Sequence, residues 1–246
     1  MRRTRAALSS EQLRIQGLQA PVEVRRHPAA RRMTLRVSRS RRAVIVTLPM
    51  QCDLHQAGTF LSHHLDWVRR HLGALPKPVP FEDGAVIPLR GRMHTLRFLP
   101  HAERGEIGSV RCQEESLPRL VVPGSREEAP RYLSQWLVEQ ARRDLVRRVG
   151  FHAANLKLKP KKIAVRDQSS RWGSCSTTGV LSFSWRLVLA PPYILDYVAA
   201  HEVAHLAEMN HGPRFWRLVK KMVPRSGEAR EWLRTYGMDL HCYGAA

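Results

Sequence analysis

Three histidines and a glutamate stand in "HEVAHLAEMNHGPRFW", residues His201 to Trp216. A helix advances about 100° per residue, so His201 and His205 project within about 40° of each other, one turn apart. Two imidazoles at that spacing can grip one divalent ion from the same face. Glu202, about 100° round, can reach a water on that ion without being a ligand. The chemistry such a set could do is hydrolytic: the ion would make the water acidic, and the carboxylate would take its proton and pass it to a leaving group.

A catalytic zinc takes three protein ligands and keeps a fourth position for water. Two residues compete for the third place. Glu208 projects about 20° from His201 but lies a further turn along the axis. His211 in a straight helix would stand roughly 15 Å from His201 on another face, and can ligate only if the chain turns back. Asn210 tolerates the left-handed conformation that ends helices, and Gly212–Pro213 can restart the chain as a new helix. His211 is therefore the expected third ligand, with Glu208 orienting a histidine or facing solvent. The spacing H-E-x-x-H-x5-H equals that of the metzincin peptidases, but Glu208 replaces their glycine three residues after the second histidine.

These side chains need a helix with a clean start and a sheet beside it. Pro191–Pro192 supplies the start, since proline is tolerated in a first turn. Before it, "KKIAVRD" and "GVLSFSWRLVLA" read as strands on either side of "QSSRWGSCSTT". The strand "VLSFSWRLV" could pair with an extended peptide through main-chain hydrogen bonds. Arg171 and Ser174 are candidate substrate contacts, while Trp172 and Gly173 read as a turn packed beside the metal helix. Tyr193, Tyr236, Arg214 and His241 are candidate donors to an oxyanion, and Tyr193 and Arg214 also count as substrate contacts. After the motif, "GPRFWRLVKKMV" and "SGEAREWLRTYG" predict two short helices.

Upstream, Ser125 and Glu128 stand at capping-box spacing ahead of a helix expected to end on Gly150. Period-two alternation in "VEV", "MTLRV", "AVIVTLP", "AVIPLRG", "HTLRFL" and "RLVVP" predicts an antiparallel, β-rich N-terminal half. One helix interrupts it over His55–Leu75, with Phe60, Leu61, Leu65, Trp67, Val68 and Leu72 at helical spacing. The expected organisation is a basic, loosely ordered tail over 1–20, a β-rich part with one helix over 21–124, and a metal-binding part over 125–246. Residues 21–246 could also form one continuous domain.

The 246 residues carry 41 Lys and Arg, only seven of them Lys, against 21 Asp and Glu, a formal charge of +20. A field this positive favours polyanions, although the RR pairs recur along the whole chain instead of forming one patch. No apolar run approaches the roughly 20 residues of a membrane span, and the basic start lacks the apolar stretch of a secretory signal. A cytoplasmic protein with no membrane partner is expected, and no feature points to an oligomeric state. Four separated cysteines without a C-x-x-C pair read as reduced, mostly buried thiols. The remaining histidines, including His63, His64 and His71, read as surface residues.

Arg171–Cys175 (R-W-G-S-C), Trp185–Leu187 (W-R-L), Asp196–His205 (D-Y-V-x-x-H-E-x-x-H) and Asn210–Trp216 (N-H-x-x-x-F-W) together resemble the YgjP-like metallopeptidase family. That family is more distantly related to the SprT/Spartan proteases. With the strand-rich start, the helix holding Trp67 and "LRGRMHTLRF", the resemblance spans about residues 20–240. It implies an α+β fold in which a β-rich half precedes a zincin-like half, the H-E-x-x-H helix packed beside a small sheet. It also implies one Zn²⁺ per chain on His201, His205 and His211, with Glu202 as general base. The expected activity is zinc-dependent hydrolysis of peptide bonds in a protein or peptide substrate. Two other activities use the same residues or the same charge. One is a nucleoside-triphosphate pyrophosphohydrolase whose arginines clamp phosphates. The other is a SprT-like DNA-associated protease or nucleic-acid-binding protein.

Overall fold

Alternating apolar residues over the first third of the chain build a four-stranded sheet. Its strands are β1 (Ser10–Leu13), β2 (Val22–Arg26), β3 (Thr34–Ser38) and β4 (Ala43–Leu48), in the order β1-β2-β4-β3. The computed structural model describes residues 10–38, 41–99, 110–114, 116–168 and 170–244. β1 pairs antiparallel with β2 and β3 with β4, but β2 and β4 run parallel. The sheet is thus mixed, not antiparallel. Side-chain alternation reports the face a residue occupies and carries no information on strand direction. β1 also brings Ser10–Leu13 out of the expected loose tail and into the sheet, while residues 1–9 lie outside the described residues.

The single helix expected over His55–Leu75 is two, α1 (Leu54–Ser62) and α2 (Leu65–Gly73). Asp53 and Gln56 close a capping box on α1. His64, at φ −114° and ψ 12°, interrupts the helical path between them. Ala57, Leu61 and Val68 pack with Val22, Val24, Val44, Val46 and Leu48 in a core confined to this part of the chain. The chain divides into two compact units here, residues 1–77 and 78–246.

The second unit opens with β5 (Val86–Leu89), β6 (Arg92–Leu99), β7 (Arg111–Gln113) and β8 (Arg119–Pro123), ordered β5-β6-β8-β7. Outer pairs are antiparallel and the inner pair parallel, the plan of the first sheet repeated. α3 (Ala129–Asn155) covers it with Leu133, Leu137, Ala141, Leu145 and Val149, an i,i+4 stripe in one core with Ile87, Leu96, Leu120 and Val122. The change of composition near Gly124 is therefore no boundary between units: the apolar face of the sheet needs α3 to cover it. Ser125 and Glu128 do bond reciprocally, at 3.3 and 3.4 Å, one turn ahead of the helix. α3 runs through Gly150 and stops at Asn155, just before Lys157 at φ 54°.

A third sheet supports the metal helix. β9 (Lys162–Arg166), β10 (Gly173–Cys175) and β11 (Val180–Ser184) lie in the order β10-β11-β9, with β10 antiparallel and β9 parallel to β11. A 3-10 turn over Trp185–Val188 leads to α4 (Pro192–Ala204), followed by α5 (Pro213–Met222) and α6 (Ser226–Tyr236). The W-R-L segment has a structural task. Arg186, 7% exposed, pairs with Asp167 at 3.1 Å and donates to the carbonyls of Leu240 (3.1 Å) and Tyr243 (2.6 Å).

The β5–β6 hairpin seats the start of α4. Its tip, Arg90 (φ 50°) and Gly91 (φ 78°), is a two-residue turn with both residues left-handed. The tip amides donate to the carbonyls of Val188 (2.7 Å) and Leu189 (3.1 Å). A Cβ on Gly91 would lie 3.0 Å from Pro191 Cα. The fold is α+β, as expected. Among the described residues no helix is long and apolar enough to cross a membrane.

Candidate metal centre

α4 ends earlier than the expected bend at Asn210. Its last helical residue is Ala204, with His205 as the cap at φ −66° and ψ −17°. Tight turns follow, Leu206 N–H to Val203 O (3.0 Å) and Ala207 N–H to Ala204 O (3.1 Å), then Gly212 N–H to Asn210 O (2.7 Å). Pro213 opens α5, and the chain has turned back. His211 Nε2 now lies 3.1 Å from His201 Nε2. Ligand nitrogens of His201, His205 and His211 all fall within 4.8 Å of one another. Nitrogens on a tetrahedral ion at 2.0–2.1 Å are about 3.3 Å apart, so the cluster fits one such ion.

Packing fixes the rings. Phe215, fully buried in the first turn of α5, faces all three imidazoles at centroid distances of 4.8, 4.5 and 4.7 Å. Trp216 stacks on His211 at 5.7 Å. His205 Nδ1–H donates to the Glu208 carbonyl at 3.1 Å, which leaves Nε2 free for an ion. Glu208 thus orients a histidine through its backbone, not its carboxylate. Tyr197 Oη lies 3.5 Å from His201 Nδ1. Tyr197 and Phe215 stand in the motifs D-Y-V-x-x-H-E-x-x-H and N-H-x-x-x-F-W, but the sequence assigns neither a role, although Tyr197 stands four residues before His201, the spacing that stacks side chains on one helix face.

Burial dominates the electrostatics. It lowers His201 to about 4, helped by His205, His211 and Arg230, and lowers His205 as well. A lowered pKa keeps His201 and His205 in the neutral form that has a lone pair to give. Glu202 is 5% exposed, and its Oε2 has no hydrogen-bond partner. Burial raises it to about 7, against the opposing charge of Arg171. A buried carboxylate oxygen left unpaired beside three imidazoles calls for a cation or a water at that point.

Gly173 explains how the strand can lie so close. A Cβ there would stand 2.5 Å from Glu202 Oε1 and 2.6 Å from its Cγ. Gly173 lies in the edge strand β10, not in a turn, and its missing side chain is the space Glu202 occupies.

The family described as YgjP-like, metallopeptidase domain, matches residues 31–236. The chain belongs to the YgjP-like family. Membership makes it a metallopeptidase, hence a hydrolase, and implies a divalent ion, usually zinc. No curated protein matches the sequence. Among solved structures, the crystal structure of the metallopeptidase zymogen of Pyrococcus abyssi abylysin is similar at 20% identity and a TM-score of 0.34, covering 37% of this chain and 94% of that one.

In this YgjP-like chain the histidines open on a cleft of about 530 Å³ bordered by Arg171, Ser174, Cys175 and Met209. Arg171 and Ser174, the candidate substrate contacts, both border this cleft. Tyr193, Arg214, Tyr236 and His241 do not border this cleft. Tyr193 is eight residues before His201, about 12 Å along α4, beside Arg90, Asp144 and Arg148 in a separate groove. Arg214 is exposed, because its neighbour Phe215 takes the inward direction. Tyr236 is 53% exposed beside Tyr193 in another hollow, and His241 is buried against Trp172 at 5.2 Å. Burial and Glu202 both raise the Cys175 thiol, keeping it protonated and poorly nucleophilic.

β11 cannot receive a peptide, since β10 and β9 occupy both its edges. The sheet ends on β9 at one side and on β10 at the other, and β10 is the edge strand packed beside α4. Trp172, Ser174 and Ser176 pair toward β11, with Ser184 N–H to Trp172 O and Ser176 N–H to Val180 O both 2.9 Å. By alternation Gly173 and Cys175 direct their amides and carbonyls away from β11.

Proposed function

We propose that the protein is a zinc-dependent peptidase in which His201, His205 and His211 hold the ion and Glu202 is the general base. The observation that carries this is the unpaired Glu202 Oε2, buried beside three clustered imidazoles next to an edge strand. A zinc ion at the cluster supplies Lewis acidity to the attacking water and to the scissile carbonyl. An extended substrate adds to β10, pairing with the outward amides and carbonyls of Gly173 and Cys175. Glu202, held at its place by α4 and by the space at Gly173, accepts the water's proton. The water oxygen bonds to the carbonyl carbon, the C–N bond breaks, and Glu202 returns the proton to the leaving nitrogen. Arg171, at the rim, can hold a substrate carbonyl or carboxylate.

Peptide hydrolysis fits better than phosphoanhydride hydrolysis because Arg171 is the one cationic side chain bordering the cleft among the described residues. A nucleoside triphosphate would need more positive charge around its phosphates. The decisive experiment compares wild type with Glu202→Gln on a casein-like unfolded protein and on a nucleotide panel, with and without chelator. Glu202→Gln should lower kcat/KM for the protein by about 10²–10⁴-fold while zinc content is unchanged. Pyrophosphate release that depends on Glu202, with the protein left uncut, would replace this reading by the phosphohydrolase. The basic charge favours a polyanion partner for residues 1–77, where 15 Lys and Arg face four acids. Binding to nucleic acid should then weaken steeply with salt.

A further inference from the structure

His94 is among the histidines expected at the surface, yet it is 1% exposed. Strand register places Leu96 opposite Leu120, and Leu120 opposite Cys112, across β6, β8 and β7. Since alternate residues share a face, His94, Cys112 and Glu114 belong to the same face of this sheet. Their donor atoms converge. His94 Nε2 is 3.2 Å from Glu114 Oε1 and 3.5 Å from Cys112 Sγ, and Sγ is 3.0 Å from Oε1. A tetrahedral ion with sulfur at about 2.3 Å and nitrogen and oxygen at about 2.1 Å sets S about 3.6 Å from N and from O, and N about 3.4 Å from O, so the N–S and N–O distances already match within a few tenths of an ångström and the thiol–carboxylate hydrogen bond at 3.0 Å would open by about 0.6 Å.

The surrounding contacts orient the same atoms. His94 Nδ1 donates to the Arg92 carbonyl at 2.7 Å, which turns Nε2 toward Cys112 and Glu114, where an ion would take the place of the hydrogen shared with Glu114 Oε1. The Arg92 guanidinium holds the other carboxylate oxygen, Glu114 Oε2, at 2.5 Å. Cys112 and Glu114 are exposed, which gives an ion a route in and a water a fourth position.

We propose that His94, Cys112 and Glu114 form a second divalent-metal site, separate from the histidine cluster and suited to zinc or another thiol-loving cation. One thiolate, one carboxylate and one neutral imidazole match a 2+ charge and a borderline-soft ion. Binding is not a redox step: the Cys112 thiol loses its proton to solvent as the sulfur–metal bond forms. Without the ion the thiol donates to Glu114. Because β7 pairs with β8 over only three residues, a metal bond from Cys112 to His94 would pin β7 to β6 across β8.

The test uses full-length protein stripped of metal and titrated with Co²⁺. Wild type should develop a near-ultraviolet thiolate-to-cobalt band. Cys112→Ser should lose that band and one equivalent of bound metal. Glu114→Gln should bind the same equivalent about 10-fold or more weakly, and His211→Ala should keep the band. No band in wild type, a band that survives Cys112→Ser and vanishes in Cys175→Ser, or equal metal uptake by wild type and Cys112→Ser would overturn the proposal. Each of these readouts is independent of whether the histidine cluster cleaves peptides.

Discussion

The sheets β1–β4 and β5–β8 share one strand order and one set of strand directions, and differ in what covers them. The first is closed by α1 and α2, whose outer faces carry exposed Thr59, Asp66, Arg69 and Arg70. Its core ends there. The second is closed by α3, which has further contacts to offer: Arg148 and His152 bond Asp196 of α4 at 2.5 and 2.6 Å. The same plan makes a self-contained module in one place and the foundation of a metal centre in the other. What decides is whether the covering helix has a second face that another element needs.

Substitutions in the two regions should therefore differ in kind. Phe215→Ala removes the buried ring on which all three imidazoles pack, and should cost about 3–5 kcal/mol of stability. It should weaken zinc binding as well, read by metal titration. Leu61→Ala, in the core of residues 1–77, should cost about 2–5 kcal/mol by denaturant unfolding and leave zinc affinity at the wild-type value. Equal loss of zinc binding in both variants would break the comparison. Gly173→Ala should push Glu202 aside. A displacement near 1 Å can cost about 10²-fold in rate, which is about 2.7 kcal/mol, so kcat should fall by that factor with zinc content intact.

The smallest effect concerns the link between α3 and α4. Burial alone would raise the Asp196 carboxyl, but the bonds from His152 and Arg148 outweigh it and hold it below the ordinary carboxylate range. A carboxyl lowered by folding adds stability above its unfolded pKa, near 4, and that share is lost as pH falls through the folded value. Asp196→Asn should be less stable than wild type near pH 7, with the gap shrinking below about pH 4, as followed by circular dichroism.

Much of this was legible in the residues. The H-E-x-x-H spacing led to His201, His205 and Glu202, and the N-H-G-P segment led to the turn that returns His211. Gly173 was misread as a turn residue because its partner, Glu202, is distant in sequence, and a glycine that makes room looks the same as one that bends. Direction in the sheets was misread for the reason that alternation is blind to it. His94 reads as a surface residue in the sequence because its partners, Cys112 in β7 and Glu114 just after it, are distant along the chain. Tyr193 and Arg214 were chosen by chemical type alone, and the helices that carry them turn both away from the cleft.

The sequence by itself determined the kind of chemistry, because ligand type and helical spacing are local properties that survive in a string of letters. It also determined the family and the α+β class. Only the tertiary structure decided that β10 is the sheet edge beside α4, that α4 stops at Ala204, and that Glu202 Oε2 is left unpaired. Those are properties of packing between segments far apart in the chain, where burial and close approach act and no local pattern records them.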